Sequence, residues 1–77
     1  MAIEAYVFIQ CEHARSKQVY DKILAIDGVK KVNIVTGPYD IIALVTAPDF
    51  KALGELVIKS LQSASYVKRT MTNVIVE

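Results

Sequence analysis

Val32-Asn33-Ile34-Val35-Thr36-Gly37-Pro38-Tyr39-Asp40-Ile41-Ile42-Ala43-Leu44-Val45 reads as strand, turn, strand. The flanking runs are apolar and rich in β-branched residues, which pack well on a pleated surface. Gly37 tolerates positive φ and Pro38 presets its own, so the pair punctuates a hairpin. Asp40 stands where the turn ends and the second strand begins. A turn acid ordinarily bonds the N–H groups of its own loop. Beside apolar strands it also has the means to hold a small cationic group, such as an ammonium. Pro38 has no N–H, so an anionic group at this turn depends on Tyr39, Asp40 or a neighbour for a donor.

Working outward, Ile3 to Gln10 alternates with both registers apolar: Ile3, Ala5, Val7 and Ile9 on one face, Tyr6 and Phe8 on the other. Such a strand is covered on both sides. His13 to Ile26 carries Val19, Tyr20, Ile23 and Leu24 at helical spacing, and Asp27-Gly28 closes the helix. Val29 to Thr36 is the second strand; Ile41 to Thr46, nearly all apolar, is the third and central. Pro48-Asp49 opens a second helix with Asp49 as N-cap. Its apolar stripe is Phe50, Leu53, Gly54, Val57 and Leu61, widened by Leu56 and Ile58, and it ends within Ser60 to Ser65. Val67 to Val76 is the fourth strand. The order β-α-β-β-α-β predicts an α+β, ferredoxin-like fold. Its sheet has four antiparallel strands with both helices on one face. The other face is left bare, with Tyr6, Phe8 and third-strand residues on it. A bare apolar face on so small a chain is an interface, and a second copy closes it sheet against sheet.

A chain of 77 residues is one domain at most, and it hides only about 60% of its unfolded surface by itself. With 53% hydrophobic residues, it has more apolar material than one small core conceals. Self-association accounts for the excess. Cys11 is the single cysteine, which rules out an internal disulfide and points to a reducing compartment. No signal peptide is recognisable, and no run approaches the roughly 20 apolar residues that span a bilayer. The expectation is a soluble, cytoplasmic chain with no membrane partner. The net charge of +1 is spread along the chain, which excludes a broad pull on nucleic acid.

Two further motifs bear on chemistry. Thr70 and Thr72 share one face of the fourth strand. They are either β-branched filling or a pair of hydroxyls lining a polar pocket. Cys11-Glu12-His13 offers two metal ligands where zinc needs three or four; no metal or cofactor is expected, and the segment reads as a strand–helix junction. No catalytic residue is assigned. Nothing in the sequence orients the Cys11–His13 pair, the carboxylates show no paired spacing, and no glycine-rich phosphate loop is present.

The turn Thr36–Asp40, the strand Ile41–Val45, the helix opened by Pro48-Asp49 and the segment Val67-Lys68-Arg69-Thr70-Met71-Thr72 together resemble the Lrp/AsnC family of feast/famine regulators. The likeness is to their effector-binding RAM domain and covers about Ala2 to Val76. Gly37 and Asp40 match its Gly-x-x-Asp turn, and Arg69 to Thr72 its Arg-Thr-x-Thr segment. The resemblance implies one RAM-like domain over residues 1–77. It also implies sheet-to-sheet homodimers assembling into rings, often octamers, with an amino-acid effector bound between dimers. Gly37, Tyr39, Asp40, Thr70 and Thr72 would line that site with residues of a neighbouring subunit. Full-length Lrp/AsnC regulators are implied partners. The family's helix-turn-helix domain has no counterpart here, so the chain looks like a stand-alone module and direct DNA binding is not carried over.

Two other readings stay open. Small cofactor-free monooxygenases and isomerases of the dimeric α+β barrel class share this architecture, and need a void within one subunit lined by His13 or an acid. A purely structural oligomer would have its contacts between dimers filled.

Overall fold

The computed structural model of the chain describes residues 2–77. Strand β1 (Ile3–Cys11) leads to helix α1 (Ser16–Leu24), then strands β2 (Val29–Ile34) and β3 (Ile41–Ala47). Helix α2 (Phe50–Glu55) continues as a π-helical segment (Leu56–Leu61), and β4 (Val67–Val74) follows. The sheet order is β2-β3-β1-β4, with every neighbouring pair antiparallel. This is the expected ferredoxin-like arrangement of two interleaved β-α-β units. Among the described residues, no helix is long and apolar enough to cross a membrane.

Alternation along the two central strands builds the core. Ala5, Val7 and Ile9 on β1 and Ile41, Ala43 and Val45 on β3 are fully buried. Val19 and Ile23 of α1 and Leu53, Val57 and Leu61 of the second helical unit cover them. On the opposite face Tyr6 lies across from Leu44, and Phe8 lies between Ile42 and Met71. Among the described residues no helix covers this side, and Tyr6 is 45% exposed, Met71 44%. Lys30 reaches past β3 to Glu4 on the same sheet, Nζ to Oε2 at 2.8 Å.

Asp49 caps α2 as expected: its backbone is extended and its side chain accepts a 2.8 Å hydrogen bond from Ala52 N–H. Gly28 sits at φ +94°, where a Cβ would meet the Thr46 carbonyl oxygen at 3.0 Å. That carbonyl stands close because Thr46 N–H donates to Gly28 O at 2.7 Å.

Several boundaries differ from the sequence reading. Helix α1 begins at Ser16 rather than His13, because Ala14 takes φ 62° and turns the chain before the helix starts. Strands β2 and β4 each end two residues early, at Ile34 and Val74. Phe50 and Ile58 leave the expected apolar stripe: they are 67% and 62% exposed. Phe50 is the first helical residue, where little of the fold stands opposite it. The widened π-helical turns shift the 3.6-residue period that placed Ile58.

Candidate functional site

The Gly37–Asp40 turn is anchored at four points. Val35 N–H donates to Asp40 O at 2.8 Å, and Asp40 N–H donates to Ile9 O at 2.9 Å. Gln10 Nε2 donates to Pro38 O at 3.4 Å. The Tyr39 ring packs on Phe8 with centroids 5.7 Å apart, tilted by 57°. Gly37 supplies the backbone freedom, at φ +121°. The turn therefore lies over the end of the open sheet face.

Asp40 does not cap its own turn. Its Oδ2 accepts a 2.7 Å hydrogen bond from Cys11 N–H, on β1. The carboxylate extends the β1–β3 ladder past its last residue pair, Ile9 with Ile41. Asp40 is half-buried, and among the described residues its Oδ1 takes no hydrogen bond and is not sealed from solvent. The Asp40 N–H expected as an anion donor is already committed to Ile9, which leaves Tyr39 N–H for that role. The Cys11 thiol is pushed up to about 11, first by burial and then by the negative charge of Asp40. It stays protonated at neutral pH and is no nucleophile.

Thr70 and Thr72 lie opposite Ile9 and Val7, so both project to the helix side of β4. Thr72 is exposed. Thr70 is half-buried, and its Oγ1 accepts a 3.1 Å hydrogen bond from Gln62 Nε2. Gln62, Val67, Lys68, Arg69 and Thr70 line an open pocket of about 320 Å³. It contains neither His13 nor a carboxylate. Gly37, Tyr39 and Asp40 are thus brought together on one side of β1, and Thr70 and Thr72 on the other. Asp40 and Thr70 flank the same end of β1, their backbones two inter-strand spacings or about 10 Å apart, and Asp40 is not among the residues lining the pocket beside Thr70. Gln62 escaped the sequence reading, because only the reversal after Leu61 brings the helix end beside β4, and Lys68 and Arg69 entered it as part of the Val67–Thr72 segment without being named as site residues.

The sheet order, with both helices on one face, defines a ferredoxin-like α+β domain. The chain belongs to the Lrp/AsnC family, whose ligand binding domain matches residues 4–77. It is 29% identical over 73 residues to PH0140, an uncharacterized HTH-type transcriptional regulator of Pyrococcus horikoshii, a match covering 95% of this chain and 46% of the regulator. It is also 30% identical over 76 residues to a homocitrate synthase of Saccharolobus islandicus, covering 97% of this chain and 16% of the enzyme. The chain thus spans less than half the length of these curated relatives. Among solved structures, TTHA0845 from Thermus thermophilus superposes with a TM-score of 0.92 at 33% identity, covering 97% of this chain and 94% of that one. The Neisseria meningitidis regulator NMB0573, solved as an L-Met complex, shares the fold with a TM-score of 0.87 at 16% identity, covering 97% of this chain and 50% of that one.

Proposed function

We propose that this domain is a non-enzymatic sensor of a free amino acid, which acts as a self-assembled oligomer and modulates Lrp/AsnC-type regulators. The relatives support the sensing part. A segment common to an HTH-type regulator and a homocitrate synthase has neither DNA reading nor synthase chemistry as its shared property. Binding a small effector on behalf of a larger machine fits both contexts. The L-Met complex of a protein with this fold points to the ligand class.

The observation that carries the reading is the state of Asp40. One carboxylate oxygen is fixed by Cys11 N–H, and the other is left to a ligand. In this picture the ammonium of the amino acid sits on Oδ1, and its carboxylate takes Tyr39 N–H. Hydroxyls of Thr70 or Thr72 come from a neighbouring copy, since β1 separates them from Asp40 within one chain. Charge-assisted hydrogen bonds contribute about 1.5–3 kcal/mol each. Two or three of them, less the cost of immobilisation, give a Kd in the roughly micromolar to millimolar range. The exposed face bearing Tyr6, Phe8, Ile42, Leu44 and Met71 supports dimerisation, with rings built from the dimers.

A thermal-shift screen against the twenty amino acids tests this, since a ligand specific to the native state raises Tm. Calorimetry on the hits with Asp40→Asn then tests the site. The expected result is binding weakened at least tenfold in a folded variant; equal affinity would remove Asp40 from the site.

A further inference from the structure

We infer that the outer edge of β4 is a self-recognition surface. It takes the β4 edge of a second copy, antiparallel, with Asn73 on the two-fold axis. The contact lies at the edge of the sheet, apart from its open face, and involves neither Asp40 nor an effector. Dimers closed through the open face need a second interface on each copy before they can build a ring, and this edge supplies one. That role rests on the self-assembly reading; the edge contact itself does not.

The β1–β4 ladder shows which residues of β4 point outward. Ile75 N–H donates to Glu4 O at 2.9 Å, and the pairs run from Ala5–Val74 to Gln10–Arg69. In an antiparallel ladder alternate residues exchange both of their backbone bonds. Arg69, Met71, Asn73 and Ile75 therefore face β1. Thr70, Thr72 and Val74 turn N–H and C=O outward, and Val76 continues the row. Such an edge is a template for another strand. The two edges of the sheet differ in how they meet this hazard. β2 carries Lys30 and Lys31 and a register shift between Val29 and Lys31, devices that blunt an edge. From Thr70 to Val76 the chain holds no charge, glycine or proline, and the register with β1 is unbroken from Thr70 to Val74.

Charge selects the occupant and its register. The ion pairs among the described residues are Lys17–Asp21, Lys30–Glu4 and Lys59–Glu55, so Arg69 and Glu77 have no partner in their own chain. With Asn73 on the axis, Thr72 pairs with Val74 of the second copy, Met71 with its Ile75, Thr70 with its Val76, and Arg69 with its Glu77. Arg69 and Glu77 meet at a pair that is not hydrogen-bonded across the seam, where facing side chains lie closest. Symmetry makes the ion pair twice. A slip by one pairing step puts Arg69 opposite Ile75 in one direction and past Glu77 in the other, and the pair is lost. The helix side adds apolar area. Phe50, Gly54, Ile58 and Gln62 recur every fourth residue along one file, and Gln62 Nε2 reaches Thr70 Oγ1 on β4 at 3.1 Å, so the file overlooks this edge. Phe50 and Ile58 are exposed, and Gly54 has open space beside it. A second copy brings its own Phe50 and Ile58 to the same seam, which takes from water two large side chains that the isolated fold leaves there.

The test uses Leu44→Lys protein, in which the open face is disabled and any remaining association belongs to the edge. Sedimentation equilibrium at up to millimolar concentration should still find dimers. Amide hydrogen exchange should slow with concentration at Thr72 and Val74, whose N–H groups face water in the monomer. Val74→Pro, added to Leu44→Lys, removes one outward N–H and none from the β1–β4 ladder. It should stay folded by circular dichroism and raise the dissociation constant at least tenfold. Arg69→Glu and Glu77→Arg should each weaken the dimer at least threefold, and the two together should restore it to within twofold. Leu44→Lys protein that is monomeric throughout, or dimers whose Thr72 and Val74 amides stay unprotected, would overturn the edge contact and leave the open face untouched. A double reversal no better than either single one would overturn self-recognition and leave the edge to a strand of another protein. The amino-acid screen is indifferent to these outcomes and decides the sensing reading alone.

Discussion

The Asp40 carboxylate accepts a 2.7 Å hydrogen bond from Cys11 N–H, joining residues 29 apart in the chain. The bond couples the turn to the last residue of β1. It gives Asp40 two separable jobs, one structural through Oδ2 and one proposed for a ligand through Oδ1. Asparagine keeps an acceptor for the Cys11 N–H and loses the charge; alanine loses both. An unmet, part-buried N–H costs about 1–3 kcal/mol. Asp40→Ala should lower the unfolding free energy by that amount, and Asp40→Asn by less than about 1 kcal/mol. Urea unfolding of the three proteins checks it. Equal losses in both variants would show that charge, not the acceptor, holds the turn.

The buried Cys11 thiol makes the fold sensitive to alkali. Its pKa rises from an ordinary 9.0 to about 11 in the folded chain, so the native state holds the proton more tightly than the unfolded state. The stabilisation is complete below pH 9.0 and is lost as pH climbs through about 11. Lysines and tyrosines titrate in the same window, so the comparison is with Cys11→Ala. The difference in unfolding free energy between wild type and variant should shrink as the pH rises across that range. A difference independent of pH would mean that the thiol ionises as freely in the native state as in the unfolded one.

The three glycines separate conformational need from space. Gly28→Ala combines φ +94° with a Cβ 3.0 Å from the Thr46 carbonyl and 3.2 Å from Leu56 Cδ2. Gly37→Ala meets nothing within 4 Å and suffers only from φ +121°. Gly54 lies in helix α2 with open space around it. Thermal unfolding should rank Gly28→Ala as the most damaging, Gly37→Ala as intermediate at about 1 kcal/mol or more, and Gly54→Ala as stabilising by about 0.5–1 kcal/mol.

What the sequence carried plainly were features set by local chemistry: the alternation of β1, the apolar continuity of β3, the Asp49 cap and the turn at Gly37. The order of elements then left one sheet topology. What it carried poorly depends on neighbours distant in the chain. Nothing local says that Asp40 bonds Cys11 rather than its own loop, since the choice is made by the end of the β1–β3 ladder. Helical periodicity put Ile58 in the core stripe, and the widened π-turns took it out. Thr70 was recognisable as a candidate, but its partner Gln62 belongs to a helix end whose position no spacing rule supplies.

Leu61 should show the strongest core dependence of the second helical unit. It is fully buried at the end of the π-helical run, next to the residue that reaches Thr70. Leu61→Ala should cost about 2–5 kcal/mol. It should also loosen the Gln62–Thr70 contact, visible as added disorder of the Gln62 side-chain amide in NMR relaxation. A large stability loss with an unchanged Gln62 amide would mean that the pocket is held by β4 alone.

Self-association through the open sheet face has its sharpest test at Leu44. This residue is half-buried, lies opposite Tyr6 at the middle of the face, and touches none of the helices' side of the sheet. A lysine there keeps water in an isolated chain, so the fold itself should change by less than about 1 kcal/mol, as for surface substitutions generally. Between two packed sheets the same ammonium is buried without a partner, which is strongly unfavourable. Sedimentation equilibrium should find wild type heavier than a monomer and Leu44→Lys dissociating at a concentration at least tenfold higher. A wild type that sediments as a monomer at every concentration would leave Tyr6, Phe8 and Met71 in water, and would remove with them the neighbouring copy whose Thr70 or Thr72 hydroxyl the proposed amino-acid site requires.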